Sequence, residues 1–223
     1  MAGALGTPHN NAVFAEQFKA GVPNLSPLTA ARSMVEPFHP LKFQTFSSYY
    51  DHIRAGIKYL VEKNGRKKLC TLYQDTDFGK EILEGVQDQA KAMNMQVVDT
   101  ATNKPTDTDF TAQITKLRNS GCDLVALGAI VRDAIVPYAT ARKMGWTDVD
   151  FVSQSASFDQ IVASAPGGAT EGLYVGAGTV MPYRDTANAT VAAWWDAYKA
   201  KYGSDPNIGA VYGHNIADLI VTA

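Results

Sequence analysis

The chain has 223 residues, of which 46% are hydrophobic and 19% charged, and its formal net charge is -2. That content can bury the core of one large domain or two small ones, while the near balance of charge argues against a nucleic-acid groove or a polybasic membrane surface. No apolar run approaches the ~20 residues that cross a bilayer.

In chain order, residues 2–5 read as the remnant of a strand, followed by a helix near 10–20. Residues 21–25 lead into a second strand. A loop with Pro37 and Pro40 precedes an extended stretch at 42–46. A long helix follows, with Ile53, Ile57 and Leu60 on its buried face and Asn64-Gly65 at its end. Residues 68–73 predict a buried strand. The next helix places Ile82, Val86, Ala90 and Met93 on one face. Residues 96–98 form a short strand. Asp109 then caps a helix with Phe110, Ile114 and Leu117 inside and Gly121 past its end. Residues 124–127, 150–152 and 172–175 are three further strands. Between them lie a helix over 133–144, with Pro137 near its first turn, and a short one near 157–163. Alternation of this kind predicts a mostly parallel sheet with helices on both faces.

After residue 181 the rhythm stops. A linker precedes two helices without strands. One carries Val191, Trp194 or Trp195, Tyr198 and Tyr202 and ends at Gly203; the other starts near Asn207. The N-terminus shows no signal-peptide pattern, and the C-terminus stops inside a helical pattern, so the expectation is a fragment cut at both ends. Cys70 and Cys122 form no CxxC pair or zinc-ligand cluster. They read as two buried thiols acting as small hydrophobes, with a disulfide left open for an exported chain.

Several stretches together resemble the ligand-binding proteins of branched-chain amino acid transporters, which have the type I periplasmic binding fold. These are Gly3-Ala4-Leu5-Gly6-Thr7-Pro8, Ser26-Pro27-Leu28-Thr29, Phe43-Gln44-Thr45, Tyr73-Gln74-Asp75-Thr76-Asp77-Phe78-Gly79, Gly167-Gly168-Ala169-Thr170-Glu171-Gly172 and Val211-Tyr212-Gly213-His214. Each is weak alone, but their order and spacing cover nearly the whole chain. The resemblance implies an α/β protein of two lobes, each a parallel sheet flanked by helices. Residues 1–46 and 182–223 would form an incomplete lobe one and 47–181 lobe two, with hinge crossings near 44–48 and 177–184.

It also implies a site in the cleft, at the carboxyl ends of strands and the amino ends of helices, where backbone N–H groups attract anions. Thr7, Leu28 and Thr29 would hold the ligand from lobe one, the threonine hydroxyls facing its polar groups. Phe78, Gln154 and Ser155 would close from lobe two, with Phe78 as an apolar wall. Tyr49 at the first crossover and Ile130 after the third lobe-two strand are further candidates. In amino-acid-binding members a glutamate aligns with Ser155 and meets the ligand's ammonium. This chain reads Val152-Ser153-Gln154-Ser155-Ala156, without an acid. A desolvated ammonium needs an opposite charge or full hydrogen bonding, so a carboxylate lacking an α-ammonium is expected, with neutral amides second. Asp75, Asp77 or Asp133 could replace the missing acid.

The implied role is an extracytoplasmic solute-binding protein, periplasmic or extracellular, with a small-molecule ligand and the permease subunits of an ABC transporter as partners. No cofactor, metal or nucleic acid is expected. His9, His39, His52 and His214 form no HExxH and sit beside no cysteine nucleophile, and no GxSxG elbow is present. The Gly167-Gly168 stretch precedes a strand instead of opening a helix, so it is no phosphate cradle. Two other readings stay open: a ligand-sensing domain of the same fold, and a doubly wound enzyme.

Overall fold

The computed structural model describes residues 1–186 and 188–222. The chain divides into two compact units, Met1–Gly178 and Thr179–Ala223.

In the first unit, helix α1 (Thr7–Lys19) is followed by strand β1 (Asn24–Leu25), a 3-10 turn over Arg32–Met34 and strand β2 (Lys42–Phe43). The two strands pair in parallel. The expected strand at residues 2–5 is reduced to two parallel bridges, Ala2 with Leu25 and Leu5 with Leu28. Helix α1 begins at Thr7 instead of near Asn10, because Pro8 in its first turn lacks the N–H that would go unpaired there. Asn10 is buried and fixes this corner. Its Nδ2 donates to the carbonyls of Ala4 at 3.0 Å and Gly6 at 2.9 Å, and its Oδ1 accepts from Asn24 Nδ2 at 2.9 Å.

Helix α2 (Tyr49–Asn64) starts at Ser48, whose side chain accepts from Asp51 N, and ends at left-handed Gly65. Next come strand β3 (Leu69–Gln74), helix α3 (Asp77–Ala92), strand β4 (Val97–Asn103), helix α4 (Thr111–Asn119), strand β5 (Leu124–Gly128) and helix α5 (Val131–Lys143). Strand β6 (Asp150–Ser153), the short helix α6 (Gln160–Ala163) and strand β7 (Leu173–Val175) complete the unit.

The five strands form one parallel sheet in the order β4-β3-β5-β6-β7. Alternate residues feed two apolar layers, as a strand's period of two requires. Cys70, Leu72, Val125, Leu127 and Phe151 face the layer with Phe110, Leu117 and Tyr138 of the α4–α5 side. Leu69, Leu124, Ala126 and Val152 face the layer with Ile53, Ile57, Ile82 and Val86 of α2 and α3. The chain runs from β3 outward to β4 and then back across to β5. The carboxyl ends of β3 and β5 are therefore a topological switch point, where a crevice opens in sheets of this kind.

Four local expectations are corrected. Strand β4 runs seven residues instead of three; at the sheet edge one face meets water, and its threonines and asparagine hide the apolar pattern. Helix α5 starts two residues early, so Pro137 lies in its second turn, inside the helix. The N-cap of α4 is Phe110, although Asp109 Oδ1 still accepts from Thr111 N at 2.8 Å. Cys70 and Cys122 are joined in a disulfide, with Cα atoms 5.9 Å apart. It ties β3 to the approach of its neighbour β5.

The second unit contains helices α7 (Ala189–Tyr202) and α8 (Ile208–Thr222). Asn188 accepts from Val191 N at 3.0 Å and caps α7, which ends at left-handed Gly203. Of its two tryptophans, Trp195 is the buried one and donates Nε1–H to Asp205 at 3.3 Å.

Candidate functional site

Thr7 opens α1, and its Oγ1 lies 2.6 Å from Thr29 Oγ1; both residues are buried. In such a pair one hydroxyl donates to the other, and the accepting hydroxyl keeps a proton to offer a third group. No side chain caps the start of α1, so its amino end retains unpaired positive character. Gln44 Nε2 of the crossover donates to Thr29 O at 2.5 Å, while its Oε1 accepts from Thr45 N and Phe46 N. The Phe43-Gln44-Thr45 stretch thereby splints Thr29 to the crossover. Leu28 beside it is half-buried.

Tyr49 N donates to Ala30 O at 2.9 Å. The Tyr49 ring meets Phe78 edge to face, with centroids 5.0 Å apart, and both residues are buried. Phe78 occupies its place because α3 begins tightly against the end of β3. A Cβ on Gly79 would stand 1.9 Å from Gln74 O, so only glycine permits this approach. The Thr7–Thr29 pair and the Tyr49–Phe78 pair are thus joined through the Ala30 backbone.

Residues 1–46 also grip α3 directly. Arg32 N donates to both carboxylate oxygens of Glu81 at 3.0 Å, the Arg32 guanidinium pairs with Glu84, and Asn11 Nδ2 donates to Asp77 at 3.1 Å. Burial pushes the Glu81 carboxyl up to about 7, against the smaller opposing pull of Arg32.

At the end of β6, the buried side chains weave into the end of β5. Gln154 Nε2 donates to Ala129 O at 2.6 Å and its Oε1 accepts from Ala156 N at 2.7 Å. Ser157 Oγ donates to Ala129 O at 3.0 Å and lies 2.7 Å from Ser153 Oγ. Gln154 is fully buried with both ends of its amide engaged, so it shapes the turn. Ser155 is half-buried. Its Oγ lies 2.9 Å from His52 Nδ1. Ile130, after β5, is 41% exposed.

The three acids considered as replacements differ in availability. Asp133 is fully buried and committed: it pairs with Arg132 at 2.7 Å and accepts from Asn103 at 3.1 Å. Asp75 pairs with Lys80 at the surface. Asp77 lies across from Asn11. Among the described residues, no group of three or more histidines, cysteines or acids could hold a metal ion. Sequence reasoning missed His52, Arg32 and Glu81. His52 was findable: it falls at helical spacing among Tyr49, Ile53 and Ile57, and a buried imidazole needs polar partners.

The sequence profile of the periplasmic binding protein family matches residues 3–223. The chain belongs to that family. The chain is 25% identical over 144 residues to Leu/Ile/Val-binding protein homolog 8 of Brucella abortus (strain 2308), covering 64% of this chain and 36% of that relative. An extracellular ligand-binding receptor from Rhodopseudomonas palustris HaA2 has the same fold, with a TM-score of 0.85, 20% identity, and coverage of 100% of this chain and 63% of that one. A leucine binding protein from Thermotoga maritima MSB8 matches with a TM-score of 0.83 and 16% identity over 99% of this chain and 62% of that one. The chain therefore spans little over a third of the curated relative and about three fifths of these solved chains. Its fold is the type I fold implied by the sequence resemblance, with parallel sheets flanked by helices.

Proposed function

We propose that this chain is the ligand-gripping part of an extracytoplasmic solute-binding protein, which captures a small carboxylate and delivers it to the permease subunits of an ABC importer. The observation that carries this reading is the buried Thr7–Thr29 hydroxyl pair at the uncapped start of α1, with Tyr49, bonded to the neighbouring Ala30 O, against Phe78. A carboxylate there meets a hydroxyl proton and the positive end of a 13-residue helix. Residues 1–46 supply one wall. Phe78, Ile130 and Ser155 supply the other, near the switch point of the sheet. Closure is a population shift: a ligand touching both walls favours the state in which they meet.

The disulfide supports an oxidising, extracytoplasmic setting. The absence of an acid at Ser155, and the commitment of Asp133 to its own network, favour a ligand without an α-ammonium. Titration calorimetry of the full chain with benzoate and with leucine tests the reading. Benzoate should bind more tightly, and Thr7→Ala, Thr29→Ala and Ser155→Ala should each weaken it about tenfold, the worth of one hydrogen bond to a charged group. Tighter binding of leucine, or a Ser155→Ala protein that binds benzoate as the parent does, overturns it.

A further inference from the structure

His52 lies in the first turn of α2 and is 6% exposed. Both ring nitrogens are engaged. Nε2 lies 2.6 Å from Ser47 Oγ in the crossover, and Nδ1 lies 2.9 Å from Ser155 Oγ after β6. One imidazole therefore bridges the crossover and the turn after β6. The segment after β7 closes over the same group. A Cβ on Gly178 would stand 2.0 Å from Ser47 Oγ and 2.9 Å from His52 Nε2, and one on Gly176 would stand 2.3 Å from His52 O. Two glycines are thus needed for the chain to pass.

The surroundings of His52 favour the neutral ring. Burial holds it below the usual histidine range, with Asp51 pulling the other way as the smaller effect. The positive end of α2 also opposes a further positive charge. A neutral imidazole carries one N–H and one acceptor nitrogen, so the two serines must play opposite parts. The distances separate them. Hydroxyl donors bond at about 2.7–2.8 Å and N–H donors at about 2.9–3.0 Å. The 2.6 Å contact fits Ser47 O–H donating to Nε2, and the 2.9 Å contact fits Nδ1–H donating to Ser155 Oγ.

We infer that His52 is a positioning residue: Ser47 holds it as the Nδ1–H tautomer, which leaves the Ser155 O–H free to donate toward the cleft and so favours an acceptor, a carboxylate or carbonyl oxygen, at that point. With its oxygen already receiving one proton, Ser155 keeps its own O–H for the ligand. The opposite tautomer would consume that proton and leave only lone pairs, which suit an ammonium. The inference rests on the proposed function in one respect, that Ser155 meets the ligand.

Long-range proton–nitrogen correlation NMR of the nitrogen-15-labelled full chain at neutral pH tests it, with His52 assigned by its loss in His52→Gln and by its shift in Ser155→Ala. The expected spectrum has Nδ1 protonated and Nε2 unprotonated, and Ser47→Ala should move both nitrogens toward averaged values. A protonated Nε2, a doubly protonated ring, or a ring indifferent to Ser47→Ala overturns the inference. This readout is independent of any ligand. Failure of the site reading appears instead in calorimetry, as unchanged benzoate binding by Ser155→Ala.

Discussion

Gly79 shows how one missing side chain sets the position of another. With 1.9 Å between a would-be Cβ and Gln74 O, Gly79→Ala must push the start of α3 off the end of β3, since a backbone carbonyl cannot rotate aside. The expected loss is about 3 kcal/mol, the upper end of overpacking costs, read as a lower urea midpoint with an unchanged slope. Phe78 moves with the helix, so any ligand affinity should fall as well. The Phe78-Gly79 pair was legible in the sequence because the resemblance names it. The serines around it were harder to sort. Ser153, Ser155 and Ser157 look alike in a string, yet two are buried in bonds to the end of β5 and one is half-buried against His52. Their division depends on where β6 stops, a boundary set by pairing with β5 and β7.

At the scale of elements, the alternating rhythm of the first unit was legible because β3, β5 and β6 are buried and α2, α3 and α4 carry apolar stripes. What was not legible follows from partners distant in sequence. The 52-residue separation of Cys70 and Cys122 hides the fact that β3 and β5 are neighbours. In the chain-entropy account a link of that span stabilises by about 4 kcal/mol. Reduction, or Cys70→Ala with Cys122→Ala, should therefore lower the melting temperature well beyond the effect of an ordinary surface change, as differential scanning calorimetry would show. The junction of the Arg32–Met34 turn with α3 makes a second prediction. Glu81, facing Arg32 from that turn and Glu84 on its own helix, has a folded value of about 7 against an ordinary 4.5. The folded state binds the proton more tightly, so the stability it contributes is complete below about pH 4.5 and is lost as pH rises through about 7. The size is about 3 kcal/mol, and Glu81→Gln should abolish that part of the slope. Urea unfolding at pH 5 and pH 8 measures it. The comparison must be between the two proteins, because the depressed imidazole of His52 contributes the opposite slope in the same window.

For the whole molecule, affinity in the proposed reading depends on contacts that never touch the ligand. The Arg32 guanidinium reaches Glu84 and lies 4.2 Å from the centre of the Tyr50 ring. These contacts and Asn11–Asp77 join residues 1–46 to α2 and α3, while the ligand is assigned to Thr7, Thr29, Phe78 and Ser155. If the two walls separate to admit a solute, Arg32 is released in the open state and engaged in the closed one. Apparent affinity scales with the population of the competent state. A surface ion pair is worth up to about 1 kcal/mol and a cation–π contact about as much, so Arg32→Ala should weaken benzoate binding by roughly ten- to thirtyfold. The enthalpic signature of the ligand's own contacts should remain. Small-angle scattering at saturating benzoate should return the same compact radius for parent and variant, while at a subsaturating concentration the variant should be the more expanded. Equal affinity in the two proteins would mean that the walls stay together whether or not a ligand is bound, and closure would then have no part in how this chain selects what it carries.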